Sequence, residues 1–294
     1  MAFKSTDWPG NSRGTNITSG TVSGKVSLAQ MNRIARFEGF SISVNVSGTY
    51  SKTTSGSYDV YTFTGPGSWE YTSPGFVADL YVDGTGGGGG GGGSPNPGAP
   101  FGPAGSGGGG GSGANGLVRF TGNQTSATWT ITAGSGGSGG NAAGGASQGG
   151  TGGTGTPAKI VEGPSTTIIE FGGGAGGEGG KFSPPGNPRS TVGTGGAGGT
   201  VTIDPRFTTI QSNAGNTGTN GGGGTCCGGG GASNVWPSYP PSDRVVPVPS
   251  PIISATGDGG AGGPSPHTGY AGEPGEFLRI YYDTAVNNFQ VTEL

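Results

Sequence analysis

Eight consecutive glycines, Gly86 to Gly93, follow directly on a strand-like segment, Phe76–Val82, and the same succession recurs along the chain. Trp129–Thr132 leads into a Gly/Ser stretch, Ile168–Phe171 runs into the glycines of 172–180, Gly199 runs straight into Thr200–Ile203, and Gly269–Gly275 precedes Phe277–Tyr282. Glycine is placed, not scattered. Eight candidate runs stand out: 84–93, 105–116, 134–155, 172–180, 193–200, 214–224, 228–232 and 257–275. A chain without Cβ adopts the polyproline-II conformation readily, at about 3.1 Å per residue and with no internal hydrogen bonds. Its N–H and C=O groups then point outward, and several such glycine segments can pack side by side through N–H···O and Cα–H···O contacts. Fixing glycine costs more backbone entropy than fixing any other residue, so such packing requires many runs to cooperate. The alternative is that the runs are flexible linkers, but a linker has no reason to be interrupted by strands at this frequency.

With 74 glycines and 22 prolines in 294 residues, composition alone would indicate disorder. Charged residues are only 10% and the net charge is −3, so self-repulsion does not hold this chain open. At 29% hydrophobic the core must be small and drawn from the short strands between the runs. Phe40–Val46 alternates Phe40, Ile42, Val44 and Val46 against Ser41, Ser43 and Asn45, the pattern of a half-buried strand. Strands are also expected at Tyr58–Thr64 and Phe76–Val82, separated by Gly65-Pro66-Gly67 and Ser73-Pro74-Gly75 turns. Shorter ones follow at 117–120, 127–132, 166–171, 200–203, 277–282 and 289–293. One short amphipathic helix is predicted over 27–38, opened by the capping box Ser27–Gln30 and carrying Leu28, Met31, Ile34 and Ala35 at spacings of three and four. The expected fold is therefore all-β: short antiparallel strands in a sheet or small sandwich, combined with a polyglycine-II bundle and one N-terminal helix.

Function classes narrow quickly. The only histidine, His267, allows no His-based metal cluster, and the carboxylates Glu162, Glu170, Asp204, Asp243, Asp258, Glu273 and Glu276 are scattered, so no catalytic residues, metal or cofactor are expected. Gly180-Lys181-Phe182 lacks the ending of a phosphate loop, and a net charge of −3 gives no general basic footprint for nucleic acid. The N-terminus reads as no signal peptide, and no stretch of about 18 apolar residues occurs, so a soluble chain without membrane insertion is expected. Cys226 and Cys227 are adjacent and are read as small packing residues, because neighbouring cysteines close only a strained ring.

The connections between runs have a composition of their own. Residues 94–103, 181–189 and 234–251 are proline-rich and carry isolated aromatics. Proline stiffens a loop, and aromatics give contact area at small entropic cost. If the strands gather at one end, the loops 94–104, 181–192, 233–256 and 264–270 are thrown to the other. There Phe101, Phe182, Trp236, Tyr239, Arg244 and Tyr270 are the candidate contacts for a partner.

Phe63-Thr-Gly-Pro-Gly-Ser-Trp69, followed by Leu80-Tyr-Val-Asp-Gly-Thr85 and the eight glycines, resembles the opening of the glycine-rich domain found in many bacteriophage tail-fibre and other virion proteins. The wider alternation of glycine runs and variable loops is similar to the tail-fibre-tip adhesins of T-even-like phages. This resemblance implies a virion protein, made in the host cytoplasm, with partners in the tail fibre, baseplate or capsid and a host surface protein or glycan bound by distal loops. Residues 1–50 would dock on the virion, with Leu28, Met31, Ile34 and Phe37 as the candidate docking residues, and 51–294 would form the glycine-rich domain. The oligomeric state is open, a trimer included. Two further readings share the texture: a purely structural capsid decoration, fibre or baseplate protein, and an ice-binding protein using Thr151, Thr154, Thr156 and Thr194.

Overall fold

The computed structural model describes residues 43–55, 58–72, 80–96, 105–120, 126–144, 147–181, 191–222, 228–232, 257, 259–264, 267–273, 275 and 278–283. The predicted helix at 27–38 and the strand at 289–293 lie outside them. The described residues contain strands and no helix: β1 (Ser43–Ser55), β2 (Tyr58–Thr72), β3 (Leu80–Thr85), β4 (Pro95–Asn96), β5 (Asn115–Phe120), β6 (Ser126–Thr132), β7 (Ala143–Gly144), β8 (Ala158–Glu162), β9 (Thr166–Phe171), β10 (Val201–Ile203), β11 (Phe207–Asn213) and β12 (Leu278–Asp283). Apart from the short parallel pair β4–β7, all pairing is antiparallel, in the order β10-β9-β8-β6-β2-β12-β3-β5-β11, with β1 added to β2.

The long strand β2 divides this sheet into two layers. Tyr58–Phe63 pairs with β12 and leads through β3 and β5 to β11, whereas Gly67–Thr72 pairs with β6 and leads through β8 and β9 to β10. The expected Gly65-Pro66-Gly67 turn is not a strand end but the place where β2 passes from one layer to the other. β1 follows the same course through Gly48, at φ +100°, with a register shift between Gly48 and Tyr50. It also runs straight through residue 50, so residues 43–50 belong to the sheet.

Between the layers lies the core, in which Phe63, Leu80, Val82, Val118, Phe120 and Ile280 of the first layer face Trp69, Tyr71, Trp129, Ile131, Ile160 and Phe171 of the second. Alternation places these side chains: in β6, Ala127, Trp129 and Ile131 are buried between exposed neighbours. Trp69 stacks on Trp129 with ring centroids 5.2 Å apart, and Phe120 meets Trp129 edge-on at 5.8 Å. Each such side chain contributes about 3 kcal/mol of transfer free energy before its ordering entropy is subtracted. β8 and β11 were not expected from the sequence. β8 is only five residues long, and β11 buries only Phe207 while Ile210 is exposed.

The strands continue into glycine segments that hydrogen-bond to one another with a three-residue period. Gly86, Gly89 and Gly92 donate to the carbonyls of Ala114, Gly111 and Gly108; Gly87, Gly90 and Gly93 to Thr156, Gly153 and Gly150; and Gly88, Gly91 and Ser94 to Glu273, Tyr270 and His267, all at 2.8–3.1 Å. The carbonyls of 87–94 accept with the same period from 137–143, 174–180 and 260–263. Segment 86–94 is thus bonded to six neighbours. Segment 105–114 is too: it donates to 172–181, 216–222 and 257–263 and accepts from 86–92, 193–199 and 229–232. Both central segments are buried along their length. Around them stand 134–143, 149–156, 172–181, 193–199, 215–222, 228–232, 257–263 and 267–273, each bonded to the next. The candidate runs 134–155 and 257–275 each fold back on themselves and supply two segments.

Chain direction alternates. Segments 86–94, 134–143, 172–181, 215–222 and 257–263 run away from the sheet, while 105–114, 149–156, 193–199, 228–232 and 267–273 run back to it, as their falling and rising donor–acceptor numbers require. One end of the molecule is therefore the sheet, and the other is a set of reversals.

Candidate functional site

The reversals define the distal end. Ser94 closes the central segment there: its N–H donates to the His267 carbonyl at 3.1 Å, its Oγ donates to the Gly263 carbonyl, and Oγ accepts from Gly107 N–H at 3.1 Å. Lys181 N–H donates to the Thr191 carbonyl at 2.8 Å, pinning the base of 182–190, and His267 N–H donates to the Pro264 carbonyl at 2.6 Å across 265–266. The β4–β7 pair joins the ends of two outgoing segments beside them. No sequence signal pointed to Ser94, because a serine ending a glycine run reads as linker. Its buried hydroxyl becomes meaningful only once three segments meet around it.

Of the expected contact residues, Phe101 and Phe182 lie outside the described residues, in connections that begin and end at this distal end: 97–104 between Asn96 and Gly105, and 182–190 between Lys181 and Thr191. Trp236, Tyr239 and Arg244 also lie outside them, and the attachment of their segment corrects the expectation that all four loops share one end. Ala232 donates to Gly110 at the close of a returning segment, and the Gly257 carbonyl accepts from Gly113 at the start of an outgoing one. The described residues that flank 233–256 therefore both lie on the sheet side. The reason is parity: 215–222 and 228–232 already make one complete excursion. Tyr270 is not in a loop either. It lies midway along 267–273, its N–H donating to Ala261, its carbonyl accepting from Gly91 and its side chain 64% exposed on the flank. Leu28, Met31, Ile34 and Phe37 lie outside the described residues. Their chain enters the sheet at Ser43, paired with Thr72 at the strand ends farthest from the glycine segments, and Asp283, paired with Tyr58, leaves at the same level.

Two of the scattered carboxylates, Glu162 and Asp204, come together on Arg206, in a clamp rather than an acid–base pair. Arg206 donates from Nη1 to Glu162 Oε2 at 2.6 Å and from Nε to Asp204 Oδ1 at 2.9 Å, and Trp129 Nε1 donates to Glu162 Oε1 at 3.3 Å. The guanidinium holds Asp204 below the ordinary carboxylate range. Burial pushes the neighbouring Tyr71 phenol up to about 12, so it stays protonated as a core residue. Together these contacts hold the β10–β11 turn against β8. Arg206→Ala is expected to cost about 1–3 kcal/mol in a denaturant melt, because two half-buried carboxylates lose the charged donor they share while keeping only the Trp129 Nε1 and residue-206 backbone N–H bonds. Asp204 is depressed when folded, so its contribution is complete above the ordinary carboxylate value and drains as pH falls through the folded one. The gap between wild type and variant should narrow on acidification, and a pH-independent gap would refute this account.

Among the described residues no group of three or more His, Cys, Asp or Glu side chains could hold a metal, and no helix is long and apolar enough to cross a membrane. Thr151, Thr154, Thr156 and Thr194 are all exposed, the first three on 149–156 and the last on 193–199, with 172–181 between the two segments. Two of these hydroxyls are committed, however: Thr156 Oγ1 to the N–H and Oγ of Ser135, and Thr194 to Glu178, whose carboxyl it holds below its usual value. Comparison with protein-family models and with curated proteins finds no match.

Proposed function

We propose that this chain is a bacteriophage virion protein, a tail-fibre or tail-tip component fixed in the particle through the residues before β1 and meeting the host surface with its distal connections. The observation that carries this reading is polarity. The described chain enters at Ser43 and leaves at Asp283 at one end, while the connections around Phe101 and Phe182 are anchored at the other. Docking and contact are thereby separated by the length of the glycine segments. The resemblance carried by Phe63–Trp69 and Leu80–Gly93 supports the virion assignment.

The ten glycine segments are, on this reading, polyglycine-II helices. The three-residue donor period, the six neighbours of each central segment and, among the described residues, the absence of backbone bonds within a segment support it, since that conformation has three residues per turn and no internal bonds. The partner class is an outer-surface protein or glycan, for which stiff, aromatic-bearing loops are suited.

Exchanging 182–190 for a short Gly-Ser turn should lower adsorption of assembled particles by roughly thirtyfold, the equivalent of about 2 kcal/mol of lost contact. The protein's melting curve should not move. Removing residues 1–38 should instead leave a folded protein that no longer joins particles. Unchanged adsorption after exchange of both 97–104 and 182–190 would leave the structural alternative, a decoration or baseplate protein, in its place. Full incorporation of the truncation would remove the docking assignment.

A further inference from the structure

The first layer buries both of its faces. Toward the core it presents Phe63, Leu80, Val82 and Val118, while Tyr58, Val60, Tyr81 and Leu117 form a second apolar cluster, exposed by no more than 8%. Alternation along β2, β3 and β5 puts this second cluster on the opposite face of the layer. Tyr58 and Tyr81 meet there edge-on at 6.2 Å, Arg119 lies over the Tyr81 ring at 5.6 Å, and Asp83 on the same face is fully buried. The described strands supply the second layer on the core side and none on this one.

The glycine segments tell what stands there. Among the described segments, only 172–181 and 257–263 are bonded to both central segments, so these two lie on opposite sides of the central pair. The central segments continue the first layer, as β3 and β5, and 172–181 continues β9 of the second layer, on the core side. Segment 257–263 therefore rises beneath the outer face, and so does its neighbour 228–232. Neither is continued by a described strand. Their sheet-side ends, Ala232 and Gly257, are the two ends of the segment 233–256.

We propose that residues 233–256 are the third layer of the sheet end, packed on the outer face of β2, β12, β3 and β5 over Tyr58, Val60, Tyr81 and Leu117. Its 24 residues carry Val235, Trp236, Tyr239, Val245, Val246, Val248, Ile252 and Ile253, with only Asp243 and Arg244 charged. Half that length reaches about 40 Å when extended, against roughly 20 Å for the six-residue strands it must cross and recross. Its six prolines suit the position, because a proline brings no N–H to be satisfied over a face whose strands are already paired. Trp236 and Tyr239 are then anchors within the fold and not receptor contacts.

Hydroxyl-radical footprinting of the full-length protein tests this. In wild type, Trp236 and Tyr239 should be oxidised several-fold more slowly than in the urea-unfolded chain; oxidation at the unfolded rate overturns the proposal. With 233–256 replaced by a Gly-Ser segment of equal length, Tyr58 and Tyr81 should gain several-fold in oxidation while Tyr71 and Trp129 stay protected. Continued protection of Tyr58 and Tyr81 overturns it. If the replacement unfolds the protein, so that Tyr71 and Trp129 are oxidised too, the wild-type measurement decides. Removing residues 1–38 should leave Tyr58 and Tyr81 protected, and their exposure in that variant would give the face to the N-terminal residues instead.

Discussion

Gly89→Ala should abolish or nearly abolish the folded state, while Gly230→Ala should be indistinguishable from wild type. Both substitutions add one methyl group to a glycine segment, and they differ only in what that methyl meets. At Gly89 a Cβ would fall 2.0 Å from the Ala175 carbonyl oxygen and 2.4 Å from its carbon, backbone atoms that are themselves hydrogen-bonded and cannot swing aside. Segment 86–94 has neighbours on all six sides, so relief of one overlap creates another. A cost on the order of 3–5 kcal/mol follows, comparable with the whole stability of many domains. At Gly230 the nearest atom is Thr219 Oγ1 at 3.4 Å, an ordinary contact, and the change should stay within about 0.5 kcal/mol. Denaturant melts of the two variants side by side make the measurement. Equal stabilities would mean that the segments are not in backbone contact at all.

The second large effect is expected at Gly48, where β1 follows β2 from one layer to the other. Its φ of +100° is a conformation that L side chains rarely adopt, and a Cβ there would lie 2.3 Å from the Pro66 carbonyl oxygen and 2.4 Å from Gly67 Cα. Gly163 has φ +61° with nothing within 4 Å of its Cβ position. Gly163→Ala therefore measures backbone strain alone, about 1 kcal/mol. Gly48→Ala adds the overlap and should cost about 3 kcal/mol or more. Similar losses for the two variants would show that the β1–β2 crossover is looser than its spacing indicates.

Strands with one clean apolar face were legible in the sequence. Trp129 and Ile131 in β6, and Ile169 and Phe171 in β9, are buried as their alternation predicts. β11 was not legible because Thr208, Thr209 and Ile210 are all exposed, which leaves Phe207 alone to mark it. The glycine runs were legible as candidates for close packing, but their number was not. A reversal within 134–155 or 257–275 consists of the same small and polar residues as the segments it joins, so composition carries no boundary. That uncounted reversal also changed the parity of the chain. One extra excursion places the ends of 233–256 at the sheet instead of the far end, and no property of Trp236 or its neighbours could have revealed it.

The separation of the chain's entry and exit from its reversals has a mechanical consequence. A pull between the two ends would travel along segments held to one another sideways, so the bonds between them would be loaded in shear and together, not opened one after another. On the proposed polyglycine-II reading the segments would already rise about 3.1 Å per residue, close to the roughly 3.3–3.6 Å limit of a fully extended chain. Little slack would then remain to be drawn out. Such a body would transmit tension as a stiff strut, with its compliance confined to whatever joins it at either end.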